Sequence, residues 1–126
     1  MPLVLRIGVM TVRVSSVVVI LLGLLLWTGN FDSLRLVHVF FGIVIVLGLW
    51  MIGVIYAAQG SSPVLAGATF IWGAIVVLVG LNQDQWAPGS NHWLIQIMHL
   101  LFGLVAISLV EIIDARANRR AQQAVS

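Results

Sequence analysis

Four long apolar stretches dominate the chain, and short polar segments separate them. The stretches cover about residues 9–27, 36–58, 64–81 and 93–113. Each is close to the ~20 residues, with a range of about 17–25, that an α-helix needs to cross the hydrocarbon core of a bilayer. The separating segments are TGNFDS (28–33), QGSSP (59–63) and NQDQWAPGSN (82–91), which are rich in residues that end helices and build turns. The pattern predicts an all-α integral membrane four-helix bundle, with residues 1–126 forming a single transmembrane domain.

Composition and charge agree with this pattern and add an orientation. Of the 126 residues, 61% are hydrophobic and 8% are charged, whereas soluble domains have about 25% charged residues. Arginines accumulate on the cytoplasmic side of short loops, and here they flank the two chain ends, at residues 6, 13, 116, 119 and 120. Both termini are therefore expected to be cytoplasmic. The basic tail, residues 114–126, is expected to contact anionic lipid headgroups rather than nucleic acid.

Three charged residues lie near the inner ends of the first and fourth stretches. Arg13 is expected to extend its long side chain toward the cytoplasm. Glu111 and Asp114 are expected to lie at the inner membrane interface, near the arginines of the tail. The chain has no cysteine, which excludes disulfides, thiolate-held clusters and covalently attached haem.

An internal repeat relates the two halves of the chain. HVFFG (38–42) and HLLFG (99–103) are offset by 61 residues, and VVVILLG (17–23) resembles AIVVLVG (74–80). The chain is thus predicted to form two pseudo-symmetric helical hairpins, related by an axis along the membrane normal. Because the second and fourth spans both run inward, His38 and His99 are expected on the same, outer side of the membrane.

The paired histidines are the main candidates for a functional site. A histidine inside the apolar layer is costly unless it faces the protein interior and has a partner. Neutral imidazole is a common metal ligand, and two imidazoles facing each other across a four-helix bundle can hold a haem iron from both sides. We therefore predict that His38 and His99 are the axial ligands of one haem b near the outer face.

The repeat also supplies residues that would surround such a group. Gly42 and Gly103 follow the histidines by four residues, so they lie on the same helix faces, one turn deeper. Each is expected to leave a gap where a flat macrocycle approaches the backbone. Phe41 and Phe102 are expected to pack against the edge of the macrocycle.

Polar residues stand on the outer side of the predicted site. Arg35 and Gln96 each precede a histidine by three residues, and a guanidinium is a suitable partner for a haem propionate. His92, in GSNHW, is expected to be an interfacial residue rather than a ligand. Met51 lies at the depth of a second, inner haem, but the matching position is Ile112. One haem is therefore predicted.

These features resemble one four-helix half of haem A synthase and, more loosely, the four-helix core of membrane b-type cytochromes. VGLNQ (79–83) and IQIMHLLFG (95–103) are similar to that family's run from the third to the fourth helix. The resemblance implies that His38 and His99 hold a haem. It does not imply the synthase reaction, since Val39 stands where the family has arginine and the outer loop lacks the family's glutamate.

The predicted function is that of a small membrane b-type cytochrome. Two histidine ligands leave no open position on the iron, so electron transfer is expected, with a quinone or a redox protein as partner. The alternative is a non-catalytic accessory or assembly subunit, with the histidines in helix packing or pigment contact. A homo-oligomer or a larger membrane complex fits either interpretation. A third, a proton-coupled exporter, is disfavoured because Glu111 is the only acidic residue within a span.

Overall fold

The computed structural model describes residues 3–124 and shows four α-helices. They are α1 (Leu3–Trp27), α2 (Arg35–Ala58), α3 (Pro63–Asn82) and α4 (His92–Gln123). Each is long and apolar enough to cross a membrane, and the shortest, α3, has 20 residues. That length corresponds to about 30 Å, the thickness of a hydrocarbon core. The predicted all-α four-helix bundle is confirmed, and the chain is a multi-pass integral membrane protein.

Two helices are longer than the apolar stretches that predict them. α1 begins at Leu3 rather than near residue 9, and α4 continues beyond residue 113 to Gln123. Most of the segment predicted as a basic tail is therefore helical. The reason is that DARANRRAQQ (114–123) is rich in Ala, Arg and Gln, which are strong helix formers, and it contains neither Gly nor Pro.

The connection between α2 and α3 is a tight turn with defined capping. Gly60 has a φ of +67°, a left-handed conformation that glycine adopts without steric cost, and its amide donates to the Ala57 carbonyl. Ser62 then caps α3 by accepting a hydrogen bond from the Leu65 amide, and Pro63 occupies the first turn. These features reverse the chain within a few residues.

The four helices form a bundle in which sequence neighbours are also spatial neighbours. Each helix packs against the next, α1 also packs against α4, and α2 contacts α4 across the bundle. Arg13 in α1 bonds to Glu111 in α4, and Arg120 of α4 contacts Ser61 in the α2–α3 turn. Both ends of the described chain thus lie with the α2–α3 turn at one end of the bundle. We call this arginine-rich end the inner end, and the opposite end the outer end.

The apolar core occupies the inner half of the bundle. It consists of buried residues from α1, α2 and α4: Leu5, Val9, Val12, Ile45, Leu49, Ile52, Tyr56, Ala106, Val110, Ile113 and Ala117. In the outer half, no residue in 17–27, 35–44 or 96–105 is buried, and the buried apolar side chains there are those of Val79 on α3 and Ile95 on α4. The inner half therefore holds the helices together, and the outer half is packed more loosely.

Glycines allow α1 and α2 to approach closely in the inner half. A Cβ added at Gly48 would lie 2.5 Å from Cγ2 of Val12, and Val12 is fully buried. Small residues at helix contacts are typical of membrane bundles, where close packing replaces the hydrophobic effect as the force that holds helices together.

Gly48→Ala is expected to destabilise the bundle, because the added methyl group overlaps a stiff, buried side chain. Overpacking of this kind costs about 1–3 kcal/mol. Gly67→Ala is the matched control, since a Cβ at Gly67 meets nothing within 4 Å. Thermal unfolding followed by circular dichroism in one detergent should show a lower midpoint for Gly48→Ala alone. Equal midpoints for the two variants would contradict the packing described here.

Candidate functional site

His38 and His99 face each other in the outer half of the bundle. His38 lies in the first turns of α2 and His99 lies two turns into α4, and these two helices are in contact. The centroids of the two imidazole rings are 6.2 Å apart, and the ring planes are inclined by 56°. The structure thus brings together the two histidines that the sequence repeat pairs.

Each histidine has a buried nitrogen without a hydrogen-bond partner. The Nδ1 atoms of His38 and His99 are both buried and unpaired. The backbone of Val19 on α1 lies near the His38 ring. An unsatisfied buried polar atom costs about 1–3 kcal/mol, and such atoms are rare enough in native proteins to need an explanation. The two halves of the repeat thus share the same unsatisfied atom, and in each half it lies near the glycine of the preceding helix, Gly23 or Gly80.

A glycine lies directly beneath each imidazole ring. A Cβ added at Gly23 of α1 would lie 3.2 Å from Cε1 of His38, and one added at Gly80 of α3 would lie 2.9 Å from Cε1 of His99. The two hairpins therefore repeat the same contact, a histidine on one helix packed over a glycine on the preceding helix. A side chain at Gly80 would require the His99 ring to shift, and one at Gly23 would be a tight contact with His38.

This role of Gly23 and Gly80 is not predicted by the sequence analysis. The repeat aligns them, since both end the same kind of apolar heptapeptide, but it does not show what they contact. The available signal was that each glycine and its histidine lie on adjacent, antiparallel helices near the outer connection. That spacing is compatible with contact without requiring it.

Gly42 and Gly103 border open space. A Cβ added at either position would meet no atom within 4 Å, and both residues are half-buried. They follow the histidines on the same faces of α2 and α4. The room beside each histidine, one turn deeper in the bundle, is therefore not filled by side chains of the neighbouring helices.

The two matched phenylalanines have different neighbours. Phe102 makes an edge-to-face contact with Trp72 at a centroid distance of 5.4 Å, and the indole Nε1 of Trp72 donates to the Phe102 carbonyl at 2.9 Å. Phe41 makes its edge-to-face contact with Phe40 of its own helix. The repeat is thus maintained at the histidines and glycines but not around the phenylalanines.

Arg35 and Gln96, the polar residues that precede the two histidines, have different surroundings. Arg35 forms a salt bridge with Asp84 of the α3–α4 connection, and both side chains are about half exposed. The ion pair ties this connection to the start of α2. Gln96 is half-buried on α4, one turn from His99, and His92 is the first residue of that helix. Asp84 was not anticipated, because a loop residue gives no sequence signal for a partner 49 positions away.

The available donor atoms restrict the kind of metal group that fits. Residues 3–124 contain no group of three or more His, Cys, Asp or Glu side chains that could hold a metal ion, whereas a protein-bound zinc ion uses three or four such ligands. Two imidazoles suit a metal whose other positions are filled by a macrocycle. Because metal–imidazole bonds are about 2.0–2.1 Å long, two rings whose centroids lie 6.2 Å apart are close enough that both could bind one metal.

A second polar cluster lies at the inner end. Nε and Nη2 of Arg13 donate to the two carboxylate oxygens of Glu111 at 2.8 and 2.7 Å, and Nη2 also contacts Asp114 at 2.9 Å. Arg13 therefore forms an ion-pair cluster with Glu111 and Asp114, the two acidic residues expected at the inner interface. The physical reason is that a carboxylate pair on the adjacent helix offers charge-assisted hydrogen bonds within reach.

Comparison with known protein families, with curated proteins and with solved structures finds no match to this chain. The function proposed below is therefore supported by the residues and geometry of the site alone.

The ion pair between Arg35 and Asp84 is expected to contribute little to stability. Exposed pairs contribute about 0–1 kcal/mol and are screened by salt. In a double-mutant cycle of Arg35→Gln and Asp84→Asn, thermal unfolding should give a coupling energy in that range that falls with added salt. Asp32→Asn, at the same end of the bundle, should show no coupling to Arg35→Gln. A coupling energy independent of salt would contradict the exposure of the pair.

Proposed function

We propose that this protein is a small membrane b-type cytochrome that holds one haem between His38 and His99 and transfers electrons. The observation that carries this proposal is the histidine pair itself. The rings lie 6.2 Å apart across the bundle, and each has a buried Nδ1 without a partner.

The residues of the site have separate roles in this proposal. His38 and His99 bind the iron through their imidazole nitrogens. Gly23 and Gly80 allow the two rings to lie against α1 and α3. The Val19 carbonyl is placed to accept the remaining ring proton of His38, because metal-bound histidines usually donate their second nitrogen to a carbonyl or carboxylate.

The loose packing of the outer half supports the proposal. A macrocycle between α2 and α4 needs space that side chains do not fill, and around the histidines only Val79 and Ile95 are buried, with no buried residue in 17–27, 35–44 or 96–105. Gly42 and Gly103 border open space on the same faces. The inner half, in contrast, contains the continuous apolar core that keeps the helices in position.

A bound haem supplies one-electron chemistry, with a potential set by its ligands and its burial. Because two histidines fill both axial positions, the residues of this site favour electron transfer over oxygen chemistry. The absence of cysteine favours a non-covalently held haem b.

The site lies near one membrane face and would need an electron-transfer partner, a quinone or a redox protein. The arginines at the inner end favour a cytoplasmic location for that end. The histidine pair would then face the outside of a bacterial or archaeal plasma membrane.

Two other functions are tested by the same protein preparation. A non-catalytic accessory or assembly subunit would co-purify with large partners and contain no iron when isolated. A proton-coupled exporter would use Glu111 as its membrane-embedded acid, but that carboxylate is held by both Nε and Nη2 of Arg13. In the accessory-subunit alternative the histidine pair would serve helix packing or contact a pigment.

The absorption spectrum of the detergent-extracted protein is the direct test of haem binding. The wild type is expected to show a Soret band and reduced α and β bands, and His38→Ala and His99→Ala are each expected to lose the six-coordinate spectrum. His92→Ala is the matched control, because His92 lies outside the pair at the start of α4. A wild-type protein without a Soret band, produced with haem in excess, would rule the proposal out.

The glycines beneath the rings provide a graded test. Gly80→Ala would place a Cβ 2.9 Å from Cε1 of His99, and Gly23→Ala would place one 3.2 Å from Cε1 of His38. Haem content per chain should fall several-fold in Gly80→Ala and less in Gly23→Ala. Gly67→Ala, on the same helix as Gly80 but facing open space, should keep full occupancy. Equal haem content in all three variants would show that these glycines do not position the ligands.

A further inference from the structure

A cavity opens between α1 and α4 at the inner end of the bundle. Its volume is about 420 Å³, and it is lined by Arg6, Val9, Met10, Arg13, Asp114 and Asn118. That volume is within the ~300–1,000 Å³ typical of small-molecule sites. Asp114 lies 15 residues beyond His99 on the same helix, a distance of about 22 Å. The cavity is therefore separate from the histidine pair.

Most of the charge in the cavity wall is internally balanced. Arg13 pairs with Glu111 and Asp114, and Asp114 also accepts a hydrogen bond from Asn118 at 3.2 Å. A carboxylate offers about four acceptor positions, so Asp114 keeps capacity for a further donor. The charges of Glu111 and Asp114 are thus partly neutralised by Arg13, and this side of the cavity is polar without carrying an unpaired negative charge.

Arg6 is the unbalanced charge of the cavity. Its side chain is exposed, and among residues 3–124 it forms none of the hydrogen bonds or ion pairs described above. The Arg6 guanidinium can bind a phosphate group through two parallel hydrogen bonds. The cavity thus offers a free cation at Arg6 and an acceptor at Asp114.

The depth of the cavity matches the headgroup layer of a membrane. The 21 residues from Ile7 to Trp27 of α1 span about 31 Å, the thickness of the hydrocarbon core. Arg6 then lies at the inner headgroup level, and Val9 and Met10 lie about one turn deeper, at acyl-chain level. Basic pockets between membrane helices on the cytoplasmic side commonly bind lipid headgroups.

We propose that this cavity binds the headgroup of one phospholipid, with its phosphate at Arg6 and an N–H or O–H donor of the headgroup at Asp114. The start of an acyl chain lies along Met10, whose side chain is exposed. Phosphatidylethanolamine and phosphatidylglycerol both carry such a donor, whereas phosphatidylcholine does not. The site holds a lipid of the inner leaflet, and it does so whether or not the histidine pair holds haem.

Native mass spectrometry of the detergent-released protein tests this proposal. The protein is incubated separately with phosphatidylethanolamine, phosphatidylglycerol and phosphatidylcholine of identical acyl chains, and each lipid arm is repeated with inorganic phosphate in excess. The test variant is Arg6→Gln, which removes an exposed charge and leaves the packed core unchanged. The matched control is Arg116→Gln, which removes the same charge at the same end of the bundle, outside the cavity lining.

The wild type and Arg116→Gln are expected to retain one phosphatidylethanolamine or phosphatidylglycerol in preference to phosphatidylcholine. Retention should fall about tenfold or more in Arg6→Gln, because a charge-assisted hydrogen bond to the phosphate is lost. Equal losses in both variants would overturn the proposal in favour of diffuse attraction to the basic end. Equal retention of phosphatidylcholine would overturn the hydrogen bond from a headgroup donor to Asp114. Displacement of the lipid by inorganic phosphate would overturn the assignment of the phosphate site to a lipid.

Discussion

The contact of α2 with α4 across the bundle is the interaction on which the candidate site depends. It places two imidazoles from separate hairpins 6.2 Å apart in a layer where an unpaired polar group is costly. Gly23 and Gly80 make the same arrangement possible on both sides, since each ring occupies the volume that a Cβ would fill. A packing role would satisfy each histidine with a neighbouring carbonyl or hydroxyl, yet both Nδ1 atoms are buried without a partner.

The two halves of the bundle have different roles: the inner half holds the helices together, and the outer half carries the histidine pair. The inner half contains the continuous apolar core, close helix contacts such as Gly48 against Val12, and the ion pairs of Arg13. These interactions fix the relative positions of the helices. The outer half has fewer buried residues, so the histidines are positioned by helices whose packing is established mainly in the inner half. A site built this way can leave space for a ligand without losing the fold.

The sequence predicts the number of helices and the pairing of His38 with His99. It does not predict contacts between side chains that are distant in the sequence. Span length and polar breaks identify four helices, because a bilayer imposes a fixed apolar length, and the repeat pairs His38 with His99. The end of α4 was misjudged because hydropathy marks the membrane boundary, whereas helix propensity carries the helix to Gln123. The partner of Arg13 lies 98 residues away, and no local pattern encodes such a distance. Gly23 was aligned correctly but its contact depends on helix rotation, which the sequence does not specify.

Low-temperature electron paramagnetic resonance of the oxidised, haem-replete protein tests most directly whether His38 and His99 bind one iron from opposite sides. Two imidazole ligands produce a strong field at the iron. The ferric haem should therefore give only a low-spin signal, with one haem per chain by iron analysis. A high-spin signal from the wild-type protein, or a preparation that contains no iron, would contradict the histidine pair as an axial ligand set.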